Sequence, residues 1–243
     1  MTHGKRDTVL VAGATGFTAG HCIVDLLAHG YNVRGTVRNL ATADTKHLHE
    51  AIGKASGTLE LTMATLDADG GWAEAAAGCD YALHLASPIP FKAPRHQDEL
   101  IRPAGEMPAI PPLHLAFTDV RDLAAAHRLA LEVPEAKGNR YICSNGDLPM
   151  TGIAEILKAE YGPRGYKIAT RPLPPWIVRV AAPFNSEAKL GAEMLGIKHD
   201  VTSAKAIRDL GWTPRPLRDS ILDTAESLIG AGIVRPRKHA PTG

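Results

Sequence analysis

The segment of residues 8–38, TVLVAGATGFTAGHCIVDLLAHGYNVRGTVR, restricts the possible fold more than any other part of the chain. It joins an apolar run typical of a buried parallel strand, a glycine turn, a helical pattern and a second strand. Gly13 permits the tight turn, and Gly16 lets the backbone approach a ligand closely. Because the first N–H groups of a helix attract anions, we expect a phosphate group to bind here. The segment therefore predicts a phosphate-binding βαβ unit.

The glycine spacing is GxxGxxA, formed by Gly13, Gly16 and Ala19, and it differs from the common GxGxxG fingerprint of dinucleotide-binding folds. A short glycine motif is weak by itself, since an ordinary turn between a strand and a helix also contains glycine. The strand before the motif, and the helix and strand after it, favour nucleotide binding over an ordinary turn.

Arg38 follows the second strand, at the position that distinguishes the two nicotinamide cofactors. An acidic residue there hydrogen-bonds the ribose of NAD, whereas an arginine accommodates the 2′-phosphate of NADP. The guanidinium fork suits a phosphate, and no Asp or Glu precedes Asp44 after the strand. Arg38 therefore favours NADP, and the alternative is an exposed arginine without a ligand. Lys46 either assists Arg38 or is merely solvated.

Three later segments extend the pattern: LDADGGWAEAAAGCDYALHLASP at 66–88, DVRDLAAAHRLALEVP at 119–134 and SAKAIRDLGWTPRP at 203–216. Together with residues 8–38 they resemble extended short-chain dehydrogenases of the NAD-dependent epimerase/dehydratase superfamily, in particular the dihydroflavonol reductase and bacterial aldehyde reductase group. The resemblance implies an α/β fold. Residues 1–150 would form a shortened Rossmann-type doubly wound parallel sheet, and residues 151–243 a smaller, mostly helical substrate lobe.

The resemblance also implies NADP as cofactor, with NADPH preferred over NADH. The residues expected to contact it come from the glycine turn, the end of the second strand, and the ends of the third and fourth strands: Gly13, Thr15, Gly16, Phe17, Thr18, Arg38, Leu66, Asp67, Ala86, Ser87 and Pro88. Asp67 would contact the adenine amino group, or else cap the following helix. His84 lies within the predicted fourth strand, where it is either a packed side chain or an acid–base group.

The resemblance breaks after DELIRPA, which ends at Ala104. The family's next strand carries a catalytic Ser or Thr, and the helix after it carries Tyr and Lys as YxxxK, but here GEMPAIPP follows directly. None of the five tyrosines has a lysine four residues later: Tyr31, Tyr81, Tyr141, Tyr161 and Tyr166. That spacing places the lysine on the tyrosine's helix face, where it lowers the pKa of the phenol. We therefore predict an internal deletion and assign no catalytic residue.

Three functions remain open at this point. The first is an impaired NADP-dependent oxidoreductase that reduces an aldehyde or ketone, so that a small-molecule carbonyl is its substrate. The second is a catalytically inactive NADP(H)-binding protein. The third is a non-functional deletion variant, because removing inner strands exposes apolar faces and strand edges.

Composition excludes several other classes. A net charge of +1 argues against general nucleic-acid binding, and no stretch is long and apolar enough to predict a membrane span. Cys22, Cys79 and Cys143 are widely spaced, which predicts neither a disulfide framework nor a metal site and favours a cytoplasmic location. The oligomeric state is left open.

Periodicity predicts the remaining elements. Ser144 and Asn145 follow a predicted strand and either face a ligand or form an ordinary turn. Trp176, Val180 and Phe184 either line a pocket with Ile177 or, at helical spacing, belong to the core. The predicted strands are 59–66, 81–87, 113–117 and 139–143, and the predicted helices are 41–52, 120–133, 151–162, 203–210 and 217–229.

Overall fold

A computed structural model gives the structure of residues 6–46, 48, 52, 56–86, 109–184, 186–198 and 200–236. The strands are β1 (Thr8–Ala12), β2 (Asn32–Val37), β3 (Leu59–Met63), β4 (Tyr81–His84), β5 (His114–Phe117) and β6 (Gly146–Pro149). The helices are α1 (Phe17–Ala28), α2 (Trp72–Ala76), α3 (Val120–Glu132), α4 (Met150–Tyr161), α5 (Pro175–Ala181), α6 (Ser186–Met194), α7 (Ala204–Leu210) and α8 (Leu217–Gly230), with a 3₁₀ turn at Pro134–Ala136.

The first four strands form one parallel sheet in the order β3-β2-β1-β4. Val9 of β1 lies opposite Val33 of β2 on one side and Tyr81 of β4 on the other. The chain therefore moves outward from β1 to β3 and then returns to the other side of β1. In open parallel sheets, ligands bind beyond the carboxyl ends of the strands at such a reversal. The Rossmann-type α/β fold predicted from the sequence is confirmed.

The core of this sheet is made by the apolar faces that periodicity identified. Val9 and Val11 of β1 and Ile23 and Leu27 of α1 are completely buried. α1 packs against α3, which returns to the same part of the molecule from later in the chain. Burying one such side chain stabilises the fold by about 1.5–3 kcal/mol.

The chain divides into two compact units, and neither is continuous in sequence. The first unit comprises the described residues of Met1–Pro90, Val120–Cys143 and Ser203–Thr213. The second comprises those of Phe91–Asp119, Ser144–Thr202 and Pro214–Gly243. The boundary after residue 150, predicted from the sequence between a cofactor-binding domain and a substrate lobe, stays a prediction. The two compact units follow a different division, because each consists of three separate segments of the chain.

The second unit contains α4, α5, α6 and α8 together with an antiparallel pair of short strands, β5 and β6. α8 buries none of its residues. Trp176 and Val180 are 63% and 62% exposed, and Phe184 is 88% exposed. The interpretation of these three side chains as core is therefore wrong.

The predicted strand at residues 139–143 is also wrong. A strand needs a neighbour for its backbone hydrogen bonds, and no described ladder includes this segment. Lys205 Nζ instead donates to Asn139 Oδ1 at 2.9 Å and to the Arg140 carbonyl oxygen at 3.3 Å. The strand pairing occurs a few residues later, where β6 pairs with β5.

Other boundaries shift by a few residues. The third strand ends at Met63 and the fourth at His84, both earlier than predicted. Of the predicted helix 41–52, only residues 46, 48 and 52 are described as helical. The predicted junction at 104/105 lies outside the described residues. Within the described part of the chain, no helix is both long and apolar enough to cross a membrane.

Candidate functional site

A cleft of about 440 Å³ lies in the first unit, beyond the carboxyl ends of its four parallel strands. Each strand contributes the residues that follow it or end it. The lining consists of Gly13, Thr15, Gly16, Phe17, Thr18, Ala19, Thr36, Val37, Arg38, Ala64, Thr65, Leu66, Asp67, Trp72, Leu85 and Ala86. A cleft of this volume is within the range of small-ligand sites, which is about 300–1,000 Å³.

The structure brings nine predicted cofactor residues together in this cleft: Gly13, Thr15, Gly16, Phe17, Thr18, Arg38, Leu66, Asp67 and Ala86. The other two, Ser87 and Pro88, lie outside the described residues. The nine come from four separate segments of the chain, which meet because parallel strands end at the same edge of a sheet.

Gly13 has the backbone conformation that its role in the turn requires, with φ of +77°. A Cβ at this position would lie 3.1 Å from the Cβ of Ala86, so both the conformation and the close approach favour glycine. The Gly16 N–H donates to the Gly13 carbonyl oxygen at 2.8 Å. The turn is therefore closed by its own backbone.

Backbone N–H groups of the turn fall into two sets. Those of Gly13, Ala14 and Gly16 donate to acceptors within the protein. Within the described part of the chain, no hydrogen bond uses the N–H of a second set, consisting of Thr15, Phe17, Thr18 and Ala19.

The second set lies at the start of α1, whose N-cap Gly16 offers no side chain and whose first turn holds no acidic residue. Four free donors at the positive end of a twelve-residue helix form a site for an anion.

Arg38 is exposed and directly follows β2. It is the one cationic side chain among the described residues that line the cleft. A ligand in this cleft would therefore meet helix N–H groups at the glycine turn and a guanidinium at the end of the neighbouring strand. Two anionic groups on one ligand fit this arrangement.

Asp67 lines the cleft beside Leu66, and its backbone N–H donates to Thr65 Oγ1 at 3.4 Å. The alternative role for Asp67, as the cap of the next helix, is wrong. The N-cap of α2 is Gly71, and no side chain makes a capping hydrogen bond there. The carboxylate is an acceptor at the edge of the sheet, available to a ligand amino group.

Seven residues of the lining were not among the predicted cofactor contacts: Ala19, Thr36, Val37, Ala64, Thr65, Trp72 and Leu85. Of these, Thr36 and Trp72 use their side chains to hold other parts of the site. The Thr36 hydroxyl accepts a hydrogen bond from the Gly13 N–H at 3.0 Å. The Trp72 indole N–H donates to the Thr65 carbonyl oxygen at 3.0 Å, which holds the indole against the wall of the cleft. Thr36 could have been identified from the sequence, because it places a hydroxyl inside a buried strand. No feature of the sequence pointed to Trp72.

The described lining contains no tyrosine, lysine, histidine or cysteine. His84 is exposed at the end of β4 and is not part of that lining. Tyr141 does lie beside a lysine, with Lys205 Nζ 4.9 Å from the ring centroid, but its hydroxyl is buried and burial raises its pKa. Neither residue supplies a proton donor to the cleft in this structure.

Ser144 and Asn145 have structural partners in the second unit. Asn145 Oδ1 accepts from the Asp119 N–H at 2.9 Å, and its amide group donates to the Arg215 carbonyl oxygen at 2.9 Å. The Ser144 hydroxyl donates to the Phe117 carbonyl oxygen at 3.2 Å. These contacts hold the chain between β5 and β6, as expected of turn residues.

None of the three cysteines forms a disulfide, and no metal-binding cluster occurs among the residues for which the structure gives positions. Cys22 is buried in α1, and burial, with a smaller contribution from Asp25, raises the pKa of its thiol to about 12. Burial likewise raises the pKa of Cys143. Both thiols therefore resist ionisation at neutral pH.

Comparison with known proteins agrees with this architecture. The model of the NAD dependent epimerase/dehydratase family matches residues 9–100. Dihydroflavonol 4-reductase of Hordeum vulgare is 39% identical over 104 residues, which cover 42% of this chain and 29% of the relative. The chain thus matches less than a third of the length of that curated relative.

Solved structures extend the likeness beyond this segment. A nucleoside-diphosphate-sugar epimerase from Pseudomonas aeruginosa superposes with a TM-score of 0.71 at 16% identity, covering 95% of this chain and 100% of that one. Yeast methylglyoxal/isovaleraldehyde reductase Gre2, complexed with NADPH, gives 0.60 at 18% identity, covering 93% and 100%. At such identities the likeness shows the fold. That fold agrees with the match of residues 9–100 to the NAD dependent epimerase/dehydratase family.

Proposed function

We propose that this chain binds NADP(H) in the cleft of the first unit and prefers NADPH to NADH. The observation that carries the proposal is the set of four free N–H groups at the start of α1, in a cleft that also contains Arg38. The helix end would hold the pyrophosphate, Arg38 the 2′-phosphate, and Asp67 the adenine amino group.

Carbonyl reduction is the activity that this binding supports. Bound NADPH supplies a hydride, and two of the proteins that match this chain are named as reductases, one of them in a complex with NADPH. The chain's own residues would bind and orient the cofactor. Reduction of an aldehyde or ketone also needs a proton donor, and the described lining offers no tyrosine–lysine pair. Loss of a positioned general acid lowers a rate by about 10²–10⁴.

A second candidate is therefore binding without turnover. It is favoured by the described part of the lining, which contains nine of the eleven residues expected to contact the cofactor and no tyrosine–lysine pair. The third reading, a variant that does not fold stably, predicts neither binding nor a cooperative unfolding transition.

One titration separates these possibilities. Thermal unfolding is followed with increasing NADPH and, separately, NADH. A ligand at 100 times its dissociation constant stabilises the folded protein by about 2.7 kcal/mol. We expect a larger rise of the midpoint with NADPH than with NADH. The NADPH-bound protein is then mixed with a panel of aldehydes and ketones, and oxidation of NADPH distinguishes a slow reductase from a silent binder.

Arg38→Gln tests the cofactor preference directly. It should weaken NADPH binding about tenfold and leave NADH binding almost unchanged, because only NADPH carries the 2′-phosphate. Arg140→Gln is the matched control, since Arg140 is exposed in the same unit and is not part of the cleft. Equal binding of the two cofactors to the wild type, or no binding of either, would contradict the proposal.

A further inference from the structure

Thr36 of β2 holds the glycine turn at two points. Its hydroxyl accepts the Gly13 N–H at 3.0 Å, and its backbone carbonyl accepts the Ala14 N–H at 2.8 Å. The residue is 2% exposed, yet it lines the cleft. Two successive amides of the turn are thus fixed by one residue of the neighbouring strand, 23 positions after Gly13.

The residue before it makes room for this contact. A Cβ on Gly35 would lie 2.7 Å from the Cβ of Ala14 and 3.1 Å from a methyl carbon of Leu61. Ala14 can approach β2 because position 35 has no side chain. Gly35 and Thr36 therefore both hold the glycine turn against β2. Gly35 leaves space for the Ala14 side chain, and Thr36 accepts hydrogen bonds from the turn.

The Gly13 N–H is the sensitive member of this arrangement. Gly13 adopts a left-handed conformation, in which the peptide plane before it can reorient at little steric cost. This N–H is partly buried, and leaving it without an acceptor is unfavourable, so loss of the Thr36 hydroxyl would favour turning it toward water in the cleft. The next residues of the turn would then move with it, and among them is the free N–H of Thr15.

We propose that Thr36 is a positioning residue of the nucleotide site, whose hydroxyl fixes the Gly13 peptide so that the free N–H groups at the start of α1 keep their anion-binding arrangement. The inference rests on the proposed NADP(H) binding and deepens it. Thr36 acts through the turn, and its effect is a change of ligand affinity beyond any change of stability.

Three variants separate these two effects. Thr36→Val keeps the shape of the side chain and removes the acceptor, whereas Thr36→Ser keeps the acceptor and removes a methyl group. Thr62→Val is the matched control, because Thr62 lies opposite Thr36 in the β2–β3 ladder and does not line the cleft. The dissociation constant for NADPH is measured by calorimetry well below each variant's unfolding midpoint.

We expect Thr36→Val to weaken NADPH binding about tenfold, equal to about 1.4 kcal/mol, with Thr36→Ser within about twofold of the wild type and Thr62→Val unchanged. If Thr36→Val does not fold, Thr36→Cys takes its place. Its thiol is a weak acceptor, and it should bind NADPH more weakly than Thr36→Ser.

Two results would overturn the role of Thr36 alone: a Thr36→Val protein with wild-type affinity and a lowered midpoint, or a Thr36→Ser protein as weak as Thr36→Val. The first result would show that the Thr36 hydroxyl contributes to stability and not to NADPH binding. The second would show that the weaker binding comes from loss of the methyl group. Failure of the wild type itself to bind NADPH would instead overturn the proposed function, and with it this role.

Discussion

The two compact units differ in how completely they bury their apolar side chains. In the first unit, Val9, Ile23 and Leu27 are fully buried, and Trp212 is 1% exposed. In the second unit, Trp176 is 63% exposed and α8 buries no residue. Apolar burial is the main favourable contribution to folding. The difference indicates that the stability of this chain is concentrated in the unit that contains the cleft, so ligand binding and stability should respond to the same substitutions there.

The largest expected effect compares two tryptophans. Trp212→Ala removes a buried indole whose N–H donates to the Asp122 carbonyl oxygen at 2.7 Å, and should lower the free energy of unfolding by about 3–5 kcal/mol. Trp176→Ala, in the second unit, should change it by less than about 0.5 kcal/mol. Chemical denaturation followed by circular dichroism checks both. Equal losses for the two variants would break the comparison.

Glycine substitutions give the next effect. Gly13→Ala and Gly196→Ala each place a side chain at positive φ, +77° and +81°, which costs about 1–2 kcal/mol. Only at Gly13 does a nearby side chain restrict the new Cβ, since nothing lies within 4 Å at Gly196. We expect both variants to lose stability and only Gly13→Ala to lose NADPH binding, measured by calorimetry. Loss of binding in Gly196→Ala would show that the second unit also shapes the site.

Alkaline pH should act on the first unit through Cys22. Its pKa rises from 9.0 to about 12 in the folded protein, so above pH 9.0 the unfolded chain loses a proton that the folded chain keeps. Stability present below pH 9.0 is therefore lost as the pH rises toward 12, with a slope of up to about 1.4 kcal/mol per pH unit. Denaturation midpoints of the wild type and Cys22→Ala are compared over this range, and parallel slopes would contradict the assignment.

Acid pH should produce the smallest effect, in the second unit. The hydrogen bond from Arg164, at 2.6 Å, lowers the pKa of Glu226 below its ordinary 4.5. Its contribution is present above pH 4.5 and is lost as the pH falls through the lowered pKa. Both side chains are exposed, so solvent screens the pair. Arg164→Gln should slightly flatten the acid limb of a midpoint-against-pH curve, and a large change there would assign more stability to this unit than burial indicates.

The parts of the fold that could be predicted are those with local causes. β1, the turn at Gly13 and α1 follow one another in sequence, and their periodicity and glycine positions predicted them within a few residues. The prediction of a strand at residues 139–143 was wrong because the composition of a segment does not reveal whether another strand lies beside it. The interpretation of Trp176 and Val180 as core was wrong for a related reason. Helical spacing identifies an apolar face, but it does not show whether another element covers that face.

The site shows the same division. Arg38 and Asp67 were found because each follows a strand of a recognisable parallel sheet, whose strand ends meet at one edge. Trp72 was missed because its contact with the Thr65 carbonyl depends on how the chain folds back after β3. The absence of a lysine four residues after any tyrosine was visible in the sequence alone.

By itself, the sequence determined the βαβ unit, the glycine turn and the arginine after β2, because backbone conformation and apolar spacing act over a few residues. Only the tertiary structure decided which amides of that turn are already bonded and which remain free. That outcome depends on the register of β1 against β2, which brings Thr36 to Gly13 across 23 residues of chain. Register is a property of the assembled sheet, where hydrogen bonding and side-chain packing must be satisfied together.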